Sequence, residues 1–272
     1  MDDPRFLKHH MSIISTVRVS SMTSKIAYGV GTAHLSAFRQ VFGLPEFDSV
    51  QLIVEALNMD TATLTLPNKD AEVASALKQT KLSRQDLFIT SKALCTNGLT
   101  VDEALSQQLS RLGLDYFDLY LIHNPRCAKN DGELQDKWKE MEAAYRSGRA
   151  RSIGVSNFTK AQLQPIPEVA TIRPSVNQFE YHAYAQHEDL VSWMKNQGMV
   201  ASCYSSLAPI MRGNPGPVDG KLGQLAKKYG VEESDIAVKR CWDQGLAVAT
   251  TGKNLHRLKG YLDDFDKFRR GY

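Results

Sequence analysis

Along the chain, short apolar and β-branched runs alternate with longer stretches whose apolar residues recur at helical spacing. After a charged start, 16-TVRVSSMTSKIAYGVGTA-33 reads as two short alternating strands around a Ser/Thr turn, an N-terminal β-hairpin followed by a glycine-rich strand end. A helical stretch at about 49–57 leads to an apolar strand ending at Asp60, then to a helix over 70-DAEVASALKQ-79 and the strand 87-LFITSK-92. The rhythm continues with helix 101-VDEALSQQLSRL-112, strand 118-DLYLIH-123, helix 133-ELQDKWKEMEAAYRSG-148 and strand 151-RSIGVS-156. Then come a helix after Phe158, strand 175-SVNQFE-180, helix 187-HEDLVSWMKNQG-198, strand 199-MVASCYS-205, two helices within 219–244, strand 246-LAVATT-251 and a last helix at 255–263.

This makes about eight strand-then-helix units. The strands are short and nearly all apolar, as strands covered on both faces must be, and helices fill most crossovers. Such alternation predicts an α/β fold with a parallel sheet. Without a polar interdomain linker, a single domain over 1–272 closed as a (β/α)8 TIM barrel is favoured over a doubly wound sheet. The Gly- and Pro-rich stretch 208-APIMRGNPGPVDG-220, after the seventh strand, is expected to be a mobile loop over the catalytic face.

Composition narrows the function classes. Lys plus Arg number 33 against 30 Asp plus Glu, and the charges are scattered apart from a small basic end at Lys267, Arg269 and Arg270, so no nucleic-acid footprint is expected. Cys95, Cys127, Cys203 and Cys241 are far apart in sequence, with no Cys-x-x-Cys pair and no His at ligand spacing. Neither a disulfide framework nor a metal site is suggested, and a reduced intracellular setting fits best. With no signal-like apolar core and no run approaching the ~18 residues of a membrane span, a soluble, cytoplasmic protein is expected.

In a barrel the chemistry sits at the carboxyl ends of the strands. The polar residues there are Asp60, Lys92, His123, Ser156 with Asn157, Gln178, Tyr204 with Ser205, and Thr250 with Thr251. Each has an ordinary reading: an aspartate after a strand caps a helix or forms a turn, a histidine before Asn-Pro is satisfied in that turn, a lysine is solvated in a loop. Convergence of an acid, an amine and an imidazole on three consecutive strand ends favours an active site.

The runs 113-GLDYFDLYLIHNP-125, 149-RARSIGVSNF-158, 175-SVNQFEYHAY-184, 200-VASCYSSLAP-209 and 250-TTGKNLHRLKGYL-262 resemble the aldo-keto reductases, in their fungal branch, and 27-AYGVGTA-33 resembles that family's first barrel strand. The similarity runs from about residue 17 to 266, and these motifs in this order are specific where one alone is not. The resemblance implies hydride transfer from a nicotinamide, usually of NADPH, to a carbonyl, through an Asp, Tyr, Lys and His tetrad. Asp60, in 60-DTATLT-65, matches the Asp, Lys92 the Lys and His123 the His; the tyrosine position is occupied by Thr65. A phenol of pKa ~10 serves as acid when a neighbouring ammonium lowers that value, whereas an aliphatic hydroxyl is far weaker and reaches less far. Asp60 and Lys92 also have a structural reason to stay together, because a buried lysine stripped of its carboxylate costs about 3–5 kcal/mol.

The cofactor side departs less. The resemblance implies that Ser156, Asn157 and Gln178 hold the nicotinamide carboxamide, that Tyr204 stacks on its face, and that Ser205 with the following backbone to Leu207 touches the pyrophosphate. The resemblance also implies that Gly31 and Thr32 belong to the first-strand part of the same cofactor site. In 250-TTGKNLHR-257, Thr251, Gly252, Lys253 and Arg257 match the segment that takes the adenosine 2′-phosphate, with Gly252 and Lys253 where two serines are usual. The cations favour NADP(H), although Arg257, Lys253 and Lys259 equally read as one solvated helix face. His34 and Asn124 are expected in the substrate pocket, which a shortened C-terminal tail ending at Tyr272 leaves open to a bulky carbonyl or polycyclic small molecule, such as a secondary metabolite. The protein is expected to act as a monomer or weak dimer without nucleic-acid or membrane partners.

Three readings stay open. The first is an NADPH-dependent carbonyl reductase with a modified tetrad. The second reuses the barrel for redox-neutral isomerisation, dehydration or cyclisation, with His123, Lys92 and Asp60 as polarising groups. The third is a catalytically silent nucleotide-binding protein. A Rossmann dehydrogenase, suggested by 29-GVGTAH-34, is weak because the third glycine is missing.

Overall fold

The structure is a computed structural model and describes residues 26–29, 49–57, 63–65, 70–95, 98–187, 189–250 and 260–261. Its strands are β1 (Ile26–Gly29), β2 (Thr63–Thr65), β3 (Phe88–Ala93), β4 (Leu119–Ile122), β5 (Ile153–Ser156), β6 (Val176–Glu180), β7 (Val200–Tyr204) and β8 (Ala247–Thr250). All neighbours pair in parallel, in chain order, and β8 returns to pair with β1 through Ala27 and Ala249. The helices are α1 (Ser49–Leu57), α2 (Asp70–Gln79), α3 (Val101–Leu112), α4 (Asp131–Arg146), α5 (Lys160–Leu163), α6 (Leu190–Asn196), α7 (Ala208–Met211), α8 (Asp219–Tyr229) and α9 (Glu233–Asp243).

Helix α3 shows how the sequence sets these elements. Thr100 and Glu103 form a capping box at its start, and Gly113 ends it at φ 67°, a left-handed turn that glycine adopts without a Cβ penalty. Between them Val101, Leu105, Leu109 and Leu112 form the buried face. All four residues of β4 are buried, yet they divide by period two. Leu119 and Leu121 pack with Val176 in one cluster, while Tyr120 and Ile122 belong to the larger core with Trp138 and Met141 of α4.

Two quoted motifs prove to be structural at the amino end of the strands. Asp118, just before β4, accepts from the Ile89 amide at 2.9 Å and pairs with Arg84 at 2.7 Å. The Tyr116 ring lies between the guanidinium groups of Arg84 and Arg151, at 3.9 and 3.6 Å from its centroid. In 151-RSIGVS-156, a Cβ on Gly154 would meet the Val176 carbonyl oxygen at 2.4 Å and Leu121 Cδ2 at 2.9 Å. Only glycine lets β5 and β6 approach this closely there.

Three expectations need adjustment. The second strand does not end at Asp60: α1 takes the apolar run up to Leu57, and the strand forms over Thr63–Thr65, where threonines flank Leu64. Thr65 is therefore the carboxyl end of β2, in register with Gly29 and Thr90. The Gly- and Pro-rich stretch after β7 is not a bare loop, since it opens with helix α7 and docks on Tyr184, whose hydroxyl accepts from the Val218 amide at 3.4 Å. The predicted hairpin lies mostly outside the described residues, of which Ile26–Gly29 form β1. Among the described residues, no helix is long and apolar enough to cross a membrane.

Candidate active site

The carboxyl ends of β3 to β7 bring together Lys92, His123, Ser156, Asn157, Gln178 and Tyr204. Lys92 leaves β3 one residue before its end, and its main-chain oxygen accepts from Gln108 Nε2 of α3 at 2.9 Å. Its ammonium donates to Ser156 Oγ at 3.2 Å and lies 5.5 Å from the Tyr204 ring centroid. Burial lowers its pKa from 10.5 to about 8, and no carboxylate among the described residues is in position to oppose that shift.

His123 follows β4 and is tied to the neighbouring strand by its amide, which donates to the Ala93 carbonyl at 3.1 Å. Among the described residues its Nδ1 is buried without a hydrogen-bond partner. Burial first, and the charge of Lys92 second, hold its pKa below the ordinary imidazole value. The ring is therefore neutral at pH 7.

Asn157 sits at φ 66°, a backbone region that asparagine tolerates better than most residues. Its Nδ2 donates to the His123 carbonyl at 2.9 Å and its Oδ1 accepts from the Tyr204 hydroxyl at 2.5 Å. Ser156 Oγ donates to the Gln178 carbonyl at 2.6 Å, and the Asn157 amide donates to the same oxygen at 2.9 Å. Gln178 itself is anchored through Nε2 on Ser202 Oγ at 3.2 Å. Burial, then Glu180, raises the pKa of Tyr204, so this phenol is a hydrogen-bond donor and a poor acid.

Ser205, at φ 59°, turns the chain sharply after β7, and the next residue, Ser206, keeps a buried Oγ without a partner among the described residues. Leu207 precedes α7 and packs against the core. Two of the polar atoms here, His123 Nδ1 and Ser206 Oγ, are thus buried and unspent. The Tyr204 ring and the anchored Asn157 amide beside His123 suit a ligand that presents both a planar ring and hydrogen-bonding groups. The Asn124 side chain accepts from the Arg126 amide at 2.9 Å and caps the short turn Pro125–Cys127. Asp60, Gly31, Thr32, His34, Thr251, Gly252, Lys253 and Arg257 lie outside the described residues.

The sequence reading missed three parts of this rim. Ser202 fixes Gln178, and Gln108 fixes the Lys92 main chain. At the end of β6, Glu180 meets His182 Nε2 at 3.3 Å and Arg212 at 3.1 Å. Glu180 is itself a polar residue at a strand end, so that signal was present. Ser202 and Gln108 carry none, since a serine in a strand and a glutamine in a helix are ordinary. Among the described residues no cluster of His, Cys, Asp and Glu is placed to hold a metal ion.

A ring of parallel strands with a lysine, an imidazole and an amide-bearing cradle at their carboxyl ends has the arrangement of an α/β enzyme with its site at the strand ends. The sequence model of the Aldo/keto reductase family matches residues 58–262, and the chain belongs to that family. It is 35% identical over 258 residues to the NAD/NADP-dependent indole-3-acetaldehyde reductase of Schizosaccharomyces pombe, covering 92% of this chain and 89% of that protein. It is 30% identical over 260 residues to the glyoxal reductase of Bacillus subtilis, covering 94% and 88%. Among solved structures, a Bombyx mori aldo-keto reductase in complex with NADP superposes with a TM-score of 0.76 at 27% identity, covering 89% of this chain and 83% of that one. Membership of this family makes the chain an oxidoreductase related to enzymes that reduce small carbonyl compounds.

Proposed function

We propose that the protein is an NADP(H)-dependent carbonyl reductase built on a full (β/α)8 barrel of the fungal aldo-keto reductase branch. In this reading Thr65 stands where the family's acid tyrosine would be. The single observation that carries the reading is the preformed cradle of Ser156, Asn157, Gln178 and Tyr204, locked by its own hydrogen bonds beside a buried lysine. Relatives named for NAD/NADP and for NADPH support the cofactor.

When bound, NADPH supplies the hydride. The chain's own residues do the rest. Tyr204 offers its face to the nicotinamide, and the anchored amides of Asn157 and Gln178 orient the carboxamide. Leu207 and the backbone after Ser205 follow the pyrophosphate, and Gly31, Thr32, Thr251, Gly252, Lys253 and Arg257 complete the cofactor site. The developing alkoxide needs a proton. Tyr204 is too weak an acid, and His123 is neutral at pH 7, so it can donate one N–H to the carbonyl oxygen without giving up a proton. Lys92, at about 8, holds a transferable proton on Nζ, and Asp60 supports it. His34 and Asn124 face a bulky substrate from the first and fourth strand loops.

One observation also favours the redox-neutral reading. A lysine with a pKa near 8 serves equally as the base that removes a proton α to a carbonyl. Fluorescence titration with NADPH, followed by its oxidation with a panel of aldehydes and ketones, separates the two. Binding with a Kd below ~100 μM and turnover in the parent protein are expected. Absence of binding removes the reductase reading. Turnover that appears only in Thr65→Tyr means that simple carbonyl reduction is not the native task.

A further inference from the structure

The motif 175-SVNQFEYHAY-184 supplies Gln178 to the cradle, but its last five residues build something else. Glu180 ends β6 directly opposite Tyr204 in the strand register. Its carboxylate takes His182 Nε2 at 3.3 Å, and His182 Nδ1 accepts from the Tyr184 amide at 3.2 Å, so in the neutral ring the proton sits on Nε2. A reciprocal pair of main-chain hydrogen bonds between His182 and Ala185 closes the turn. Tyr184 is thereby held on a fixed base, half-exposed, with its ring edge-on to that of His182.

The segment after β7 is built around that ring. A Cβ on Gly213 would lie 2.8 Å from Tyr184 Cε2, and one on Gly216 would lie 2.3 Å from the Tyr184 hydroxyl oxygen, so both glycines are needed for the chain to close on it. The Val218 amide donates to the same hydroxyl at 3.4 Å. Arg212 Nη2 reaches Glu180 at 3.1 Å, but an ion pair this exposed contributes little, so the ring is the main attachment. Helices flank the seat on both sides. Upstream, the single turn of α7 separates Gly213 from Leu207: the Ala208 amide donates to the Ser205 carbonyl at 2.9 Å, and the Gly213 amide donates to the Ala208 carbonyl at 3.0 Å. Downstream, the Gly216 amide donates to Asp219 Oδ2 at 2.7 Å at the start of α8.

We propose that Tyr184 is a positioning residue of the cofactor site: by seating residues 212–218 it fixes, through α7, the backbone from Ser205 to Leu207 that in the NADP(H) reading follows the pyrophosphate. The identity of the ligand rests on that reading, whereas the seat rests on the contacts of Tyr184 alone. Glu180 links the two halves of the site, because it ties the base of Tyr184 to the strand position opposite Tyr204. Release of the segment would therefore shift the phosphate strip against a nicotinamide cradle that stays in place, weakening NADPH without disturbing the barrel core.

The test compares the parent with Tyr184→Ala, Tyr184→Phe and Gly216→Ala, by amide hydrogen exchange without cofactor and by NADPH titration. Tyr184→Ala should speed exchange of the Gly213 and Val218 amides about tenfold, leave exchange in β4 to β6 at parental rates, and raise the NADPH Kd about tenfold. Tyr184→Phe keeps the ring and should show parental protection at Gly213 and parental affinity. Gly216→Ala, whose added methyl meets the Gly213 carbonyl oxygen at 2.3 Å, should reproduce Tyr184→Ala with the tyrosine intact. Parental exchange at Gly213 in Tyr184→Ala, or faster exchange with unchanged NADPH affinity, overturns the proposal, and so does a Tyr184→Phe variant as weak as Tyr184→Ala. A parent protein that binds no NADPH overturns the reductase reading instead, and the exchange measurement, made without cofactor, still decides whether Tyr184 seats the segment.

Discussion

Tyr204 donates its phenolic hydrogen to Asn157 Oδ1 across 2.5 Å, while the same side chain donates from Nδ2 to the His123 carbonyl. An asparagine held at φ 66° is thereby pinned at both ends of its amide. Tyr204→Phe keeps the aromatic face and removes one pin. A hydrogen bond of this kind contributes ~1 kcal/mol, so NADPH affinity should fall about fivefold with little change in melting temperature. Titration of the parent and the variant side by side checks this, and unchanged affinity would mean that the clamp does not orient the cofactor site.

Lys92 carries a pH signature of both activity and stability. Under the reductase reading its proton is needed, so turnover should be flat below about pH 8 and decline above it, approaching tenfold per pH unit. For stability, the folded pKa of about 8 lies below the unfolded 10.5, so the unfolded chain binds more protons between these values. Stability attributable to this group therefore rises with pH across that window and is flat below it. Lys92→Met removes the transferable proton and should abolish turnover. Urea melts at several pH values together with an activity profile test both halves.

His123 should titrate below the free imidazole value, because burial and the Lys92 charge both oppose its protonation. Removing that charge in Lys92→Met should move the His123 midpoint upward without restoring it fully, since burial remains. NMR of the imidazole resonances as a function of pH reads this directly. An unmoved midpoint would mean that Lys92 and His123 do not sense each other.

Most of the architecture could be read from hydrophobic period alone, because strands covered on both faces and amphipathic helices give distinct signals; α3 was placed at Val101–Leu112 from its pattern. The second strand was misplaced because the three-residue Thr63–Thr65 is shorter than a period can register, and the stronger apolar signal upstream belongs to α1. Lys92, His123, Ser156, Asn157, Gln178 and Tyr204 were identifiable because strand ends converge in a parallel ring. Their supports Ser202 and Gln108 were not, since a hydrogen bond across 24 or 16 residues leaves no local trace.

Gly154 offers the sharpest test of how tightly the strands supporting this site are packed. Its missing side chain leaves room for the Val176 carbonyl and for Leu121, and a methyl group would sit 2.4 Å from that oxygen. The obstacle is backbone of the paired strand β6, so no rotamer change relieves it; β5 and β6 must move apart. Their register, Val155 opposite Asn177 and Ser156 opposite Gln178, also sets the Ser156 hydrogen bond to the Gln178 carbonyl. Overpacking of this kind costs about 1–3 kcal/mol or more. Gly154→Ala should therefore lower stability by at least ~2 kcal/mol in urea melts and weaken NADPH binding in the fraction that remains folded. A variant with parental stability and affinity would show that β5 and β6 tolerate separation and that the cradle does not depend on their close approach.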